Sequence, residues 1–145
     1  MILSDAEYIK VMESMPVVCI DCLVRNRDGK FLLVKRENEP LKGEFWVPGG
    51  RLLKGERLED AVHRKMREEL GIEIKVIKNL GFFEEFFVKT AQKVKNGFHA
   101  ISFLYLVEPL SNDITLDKQS SEWGWFVDVP ARLKKYKNLN LGDAL

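Results

Sequence analysis

The spacing of apolar residues changes several times along this chain, and each change marks an element. Ser4 followed by Glu7 has the form of a capping box, and Ile9, Val11 and Met12 fall on the turns that follow. Residues 4–14 are therefore predicted to form a short helix, which Pro16 ends. Two β-rich runs, 17–26 and 30–36, meet at Asn26-Arg27-Asp28-Gly29, and an Asp-Gly turn between such runs predicts a β-hairpin. A loop rich in charge, glycine and proline then leads to Pro48-Gly49-Gly50. At 57–70 the apolar period becomes helical, with Gly71 placed to stop the helix in a left-handed conformation. Beyond it, 72–78, 80–88 and 98–108 read as strands, 89–97 as a polar hairpin loop, 123–127 as a short strand and 129–137 as a terminal helix. This order predicts helices packed against a mixed sheet in an α/β/α sandwich.

With 145 residues, 46% of them hydrophobic, the chain can bury one sizeable core, so a single domain over 1–145 is expected. Lys+Arg 23 against Asp+Glu 22 leaves a net charge of +1, too little for a global field that would draw nucleic acid or an anionic membrane. Any handling of phosphate must be local. The N-terminal stretch MILSDAEYIKVMESM is acidic and helical, unlike a signal peptide, and no run approaches the ~20 apolar residues of a membrane span. A cytoplasmic protein with neither nucleic-acid nor membrane partners is expected. Cys19 and Cys22 have the spacing of a redox or metal pair, but they sit in the strand-like run PVVCIDCLV. Residues three apart on a strand point to opposite faces, so these read as two small buried apolar side chains.

The central helix carries the candidate chemistry. On a wheel of about 100° per residue, Leu58, Ala61, Val62, Met66 and Leu70 form one apolar arc, and Glu69 falls near its middle. An ionised carboxylate aimed inward needs a cation or must neutralise itself. Glu68 lies at the edge of the arc beside Arg64. Two adjacent acids near backbone carbonyls suit a hard divalent cation, and Mg²⁺ keeping several waters suits a phosphate substrate. The alternative is that Glu69 pairs with Lys65 and Arg64 with Glu68, as on an ordinary solvated helix. Gly49-Gly50, upstream of the helix, would allow a ligand to approach the backbone closely.

Read together, Gly50-x5-Glu56-x7-Arg64-Lys65-Met66-Arg67-Glu68-Glu69-Leu70-Gly71-Ile72 resembles the signature of the Nudix hydrolases. One specified position departs, because Lys65 stands where the signature has its first glutamate. The resemblance implies a Nudix α/β/α sandwich whose loop-helix-loop box holds Mg²⁺, or Mn²⁺, through Glu69 and the carbonyl of Gly49, with Glu68 as the next ligand. It also implies that Glu56 and Arg64 brace the loop and orient the carboxylates.

Most of the first 72 residues are similar to one branch, the GDP-mannose mannosyl hydrolases: the short N-terminal helix, PVVCIDCLVRNRDGKFLLVKR and GEFWVPGGRLLKGE. That branch also lacks the first glutamate. It implies attack of water at the anomeric carbon of a nucleoside-diphosphate sugar, Arg36 and Arg51 on the diphosphate, Asp21 on the sugar, and a homodimer. Gln119 matches a metal ligand of that branch, but Ser120 stands where it has a histidine base, and a serine hydroxyl is a poor base near neutral pH. Glu122 or Glu68 could take over. Of the two histidines, His63 is expected on the solvated side of the helix, and His99 on a strand from which it could reach the site. A Nudix pyrophosphatase attacking phosphorus is the alternative activity, and a non-catalytic nucleotide-binding module is a third reading.

Overall fold

The structure is a computed structural model that describes residues 3–91, 93–116 and 120–145. Helix α1 (Asp5–Ser14) begins at Ser4, whose hydroxyl accepts from the Glu7 N–H while the Glu7 carboxylate accepts from the Ser4 N–H. The predicted capping box is therefore closed at both ends. Strands β1 (Val17–Arg25) and β2 (Phe31–Arg36) follow as the expected antiparallel pair. Their turn is tied by Asn26, whose side-chain oxygen accepts from the backbone N–H of both Asp28 and Lys30.

That hairpin is paired only near its turn, with Val24 opposite Leu32 and Arg25 opposite Phe31. Farther along, the strands separate and take other neighbours. Strand β4 (Gly49–Arg51) lies against β1, while β3 (Phe45–Trp46) and β7 (Ser120–Phe126) flank β2. On its other edge β1 runs parallel to β6 (Phe98–Pro109), from Val17 beside Ala100 to Val24 beside Val107. Strand β5 (Ile74–Phe87) closes the sheet antiparallel to β6. Seven strands among the described residues thus form one mixed sheet.

Alternation along the strands separates two cores. Ile20, Cys22, Val24, Leu32 and Val34 pack against helix α2 (Leu58–Leu70) through Ala61, Val62, Met66 and Leu70. Leu23, Phe31, Leu33, Leu104 and Leu106 face the other way, onto Leu133, Leu139 and Ala144 of the C-terminal segment. Cys22 belongs to the first face and Cys19 lines a cavity on the second, so the two thiols diverge as their spacing predicts. Gly71 ends α2 in the left-handed region, at φ 65°, and its N–H donates to the carbonyl of Arg67. No helix among the described residues is long and apolar enough to cross a membrane.

Four expectations need correction. The strands expected at 72–78 and 80–88 are one strand, β5, with register shifts at Val76/Lys78 and Asn79/Phe82, because β6 offers a continuous edge on which bulges absorb the irregularity. The terminal helix expected at 129–137 is a 3₁₀ turn, Ala131–Lys135, followed by another at Leu141–Asp143. Pro130 at ψ 131° and Tyr136 at ψ 120° leave the helical region on either side, so only one short turn forms, and Val129, Leu133 and Leu139 bury this segment against the sheet. The loop expected to run to Gly50 holds β3 and ends in β4, and β7 begins at Ser120 instead of 123.

The C-terminal layer is fastened at Gly81, which bridges to Leu139, while the Asn140 N–H donates to the Leu80 carbonyl at 2.7 Å. Gly81 has φ 113°, and a Cβ there would collide with the backbone oxygen of Asn138. Gly81→Ala should therefore lower stability by about 1–3 kcal/mol from the backbone alone. Gly142, whose Cβ position is open, should tolerate alanine. Urea midpoints measured at unchanged slope check both.

Candidate active site

Helix α2 presents its apolar arc to the sheet, and Glu69 enters with it at 6% exposure. Lys65, one turn earlier, places its ammonium 3.2 Å from a Glu69 oxygen and 3.3 Å from a Glu68 oxygen. Its side chain is itself only 13% exposed. The neighbouring Arg64 binds in several directions. Nε and one terminal nitrogen reach the two oxygens of Glu56 at 2.6 and 2.9 Å, and that nitrogen also donates to the Arg51 carbonyl at 3.0 Å. The other terminal nitrogen reaches both oxygens of Glu68 at 3.2 Å. Glu56 in turn accepts from the Leu53 N–H at 3.0 Å. One guanidinium thereby fixes the loop before the helix, strand β4 and the exposed carboxylate of the helix.

These contacts set the protonation states. The Arg64 hydrogen bond holds Glu56 below the usual carboxylate range. For Glu68, burial works upward, but Arg64 and Lys65 outweigh it and leave the carboxyl lowered. Both acids are anions near neutrality, and Arg64 is raised by Glu56.

Gly49 and Gly50 stand in this fold at the start of β4, with Gly49 opposite Asp21 and Gly50 opposite Ile20. A Cβ on Gly49 would strike the Ile20 carbonyl and the Asp21 side chain, while one on Gly50 would lie 2.5 Å from Lys65 Cε. The glycines are required by β1 on one side and by Lys65 on the other. Glu68, Glu69, Lys65 and β4 are thus brought together by the absence of side chains between them.

Asp21, Arg36, Arg51 and Lys65 line a cavity of about 420 Å³, with Glu85 and Ser102. Helix α1 contributes Tyr8, over whose ring the Arg51 guanidinium rests 4.6 Å from the centroid. Arg36 is held by Pro40, whose carbonyl accepts from Nε at 2.7 Å. Glu85 was not anticipated by sequence reasoning. Its signal lay in GFFEEFF, where period-2 alternation puts Glu85 in phase with the buried Phe83 and Glu84 out of phase with it. Asp21 and Glu85 are both buried, at 8% and 6% exposure. Burial raises Asp21 well above the usual range, Glu85 adds to this, and Arg36 and a Ser102 hydrogen bond oppose it. Burial likewise pushes Glu85 to about 7, against the pull of Arg132 and Arg36.

Other candidates among the described residues stand away from the cavity. Gln119 lies outside the described residues. Ser120 pairs with Arg36 in the sheet, whereas Glu122 is engaged by Lys35 at 3.2 Å and does not line the cavity. His99 stacks on Phe86 with centroids 4.3 Å apart, on the sheet face away from Ala100 and the cavity, because adjacent strand residues alternate. His63 is half-buried, not on a fully solvated face.

Comparison with known proteins gives the family and agrees with the fold. Residues 15–137 match the NUDIX domain, and the chain belongs to that family. It is 34% identical over 118 residues to the low-salt glycan biosynthesis protein Agl8 of Haloferax volcanii, covering 81% of this chain and 75% of that protein. It is 32% identical over 111 residues to an ADP-ribose pyrophosphatase of Methanocaldococcus jannaschii, covering 77% of this chain and 62% of the relative. A MutT Nudix hydrolase structure from Burkholderia pseudomallei superposes with a TM-score of 0.69 at 30% identity, over 81% of this chain and 88% of that one.

Nudix hydrolases generally use divalent metals such as Mg²⁺, and the residues here fit one. The Glu68–Glu69 pair already holds a cation, the Lys65 ammonium, and its donors are hard oxygens. Among the described residues no three His, Cys, Asp or Glu side chains form a ready cage. Water and a β4 carbonyl would complete the shell, as suits Mg²⁺.

The acid pair has a consequence for stability. Folded Glu85 keeps its proton up to about 7, whereas in the unfolded chain it releases it near its ordinary value of 4.5. The folded state binds more protons in that window, so this pair should make stability fall as pH rises from about 4.5 to 7. Glu85→Gln should flatten that slope and stabilise the protein at pH 8, as read from thermal melts across pH.

Proposed function

We propose that the chain hydrolyses a nucleoside-diphosphate sugar with Mg²⁺ held by Glu69, Glu68 and the Gly49 carbonyl. The observation that carries this reading is one cavity bordered by cations and acids in separate places. Arg36 and Arg51 supply planar forks suited to diphosphate oxygens, and Asp21 with Glu85 supplies acceptors for sugar hydroxyls. Glu56 and Arg64 hold the carboxylates in place, and Gln119 is a further proposed ligand. The resemblance to the mannosyl hydrolases makes GDP-mannose the first substrate to test, with water attacking the anomeric carbon and GDP leaving. Metal and arginines would then stabilise the charge that develops on the diphosphate. A homodimer in the cytoplasm is part of the same reading.

Attack at phosphorus is the second reading, and a specific observation favours it. Neither His63 nor His99 is among the cavity-lining residues, so the histidine base of the mannosyl hydrolases has no replacement imidazole there. The name of the M. jannaschii relative points the same way.

Three measurements test this. Glu69→Gln should lower Mg²⁺-dependent turnover roughly a hundredfold or more with the far-UV spectrum unchanged, and wild-type activity would remove Glu69 from the site. Arg36→Ala and Arg51→Ala should each reduce kcat/KM by roughly tenfold to a thousandfold, with lysine restoring only part. In ¹⁸O-water, label in the free sugar reports attack at carbon, and label in a phosphate product reports attack at phosphorus and overturns the mannosyl hydrolase reading.

A further inference from the structure

We propose that Lys65 is a tethered cation that occupies part of the metal site, so that this protein binds a single divalent ion, and binds it more weakly than its carboxylates alone would. The inference rests on the metal reading above and concerns what this chain's own substitution does to it. The side chain is not a surface lysine that happens to lie near two acids. It is 13% exposed, packs its Cε across Gly50 where no side chain intervenes, and ends 3.2 Å from Glu69 and 3.3 Å from Glu68. Its ammonium therefore stands between the carboxylates and β4, where an ion held by Glu68, Glu69 and a β4 carbonyl would also have to stand.

Charge limits what can be added. Among the described residues, the ion pairs of this cluster join Glu56, Glu68 and Glu69 to Arg64 and Lys65, three carboxylates to two cations. One divalent ion reverses the remaining negative charge, and a second would meet net repulsion in a partly buried site. A glutamate at position 65 would change the balance by two charges and remove the ammonium from the space. Lys65 also lines the cavity, so an ion entering beside Glu69 displaces the ammonium toward the space assigned to substrate. There it meets the diphosphate as one more positive charge. The substitution thus places at position 65 a cation that needs no binding equilibrium of its own.

The experiment titrates Mn²⁺ into metal-free full-length protein without substrate, reading free Mn²⁺ by electron paramagnetic resonance. Wild type should bind one ion. Lys65→Met and Lys65→Gln should bind one ion about tenfold more tightly, or tighter still, and Lys65→Glu should bind a second. Affinities of the Met and Gln variants within twofold of wild type, with no added ion in the Glu variant, would overturn the proposal. If losing the ammonium unfolds the metal-free variants, Mn²⁺ should refold them, followed by far-UV circular dichroism. A variant that stays unfolded at millimolar Mn²⁺ also counts against the proposal, since an ion able to take the ammonium's place would restore the charge balance. Glu69→Gln separates the two levels of argument. If it leaves Mn²⁺ binding unchanged, the metal site itself is misassigned. If it abolishes binding while Lys65→Met matches wild type, the metal site stands and Lys65 has no part in it.

Discussion

A carboxylate in the middle of an apolar helix face makes a demand that the surrounding structure must meet. Glu69 enters the sheet-facing side of α2 among Ala61, Val62, Met66 and Leu70, where an unpaired charge would be strongly unfavourable. The fold answers with Lys65, which needs room beside β4 to reach it. That room exists because position 50 is glycine. Arg64 then fixes the outer carboxylate, the loop and β4 with a single guanidinium. The helix, the loop and the strand are therefore positioned by charge pairing as much as by apolar contact.

The cavity has a different origin. Strands β1 and β2 pair near their turn and then part, and β4 enters along β1. Gly49 is compressed against Ile20 and Asp21, so the backbone, not a side chain, forms that part of the wall. Helix α1 contributes Tyr8 to the wall, and its ring carries the Arg51 guanidinium. Arg36 and Arg51 line this cavity, whereas Glu68 and Glu69 are engaged by Lys65 on the helix.

Asp21 and Glu85 show how a sheet can bring together what the chain keeps apart. They stand on strands separated by β6, on the same face, with Ser102 of β6 bonded to Asp21. Burial makes both carboxyls reluctant to ionise, and Glu85 raises the cost further for Asp21. Arg36 opposes this for both. The result is a pair of acids that keep protons toward neutral pH beside cations that remain charged, in the same cavity.

The sequence alone determined whatever depends on near neighbours along the chain. The capping box at Ser4, the Asp-Gly hairpin, the extent of α2 and its left-handed stop at Gly71 all follow from local hydrogen bonding and local backbone preference. The arc of α2 told which acid turns inward, because helical period fixes direction within one element. Tertiary structure decided the rest. It joined two expected strands into β5, replaced the terminal helix by 3₁₀ turns anchored at single residues, and turned His99 and Glu122 away from the cavity. It also brought Glu85 to Asp21 and made glycine necessary at positions 49 and 50, where β1 and Lys65 leave no room for a side chain. These outcomes depend on which strand lies beside which and on the space left between them, and neither is encoded in the spacing of residues along a single element.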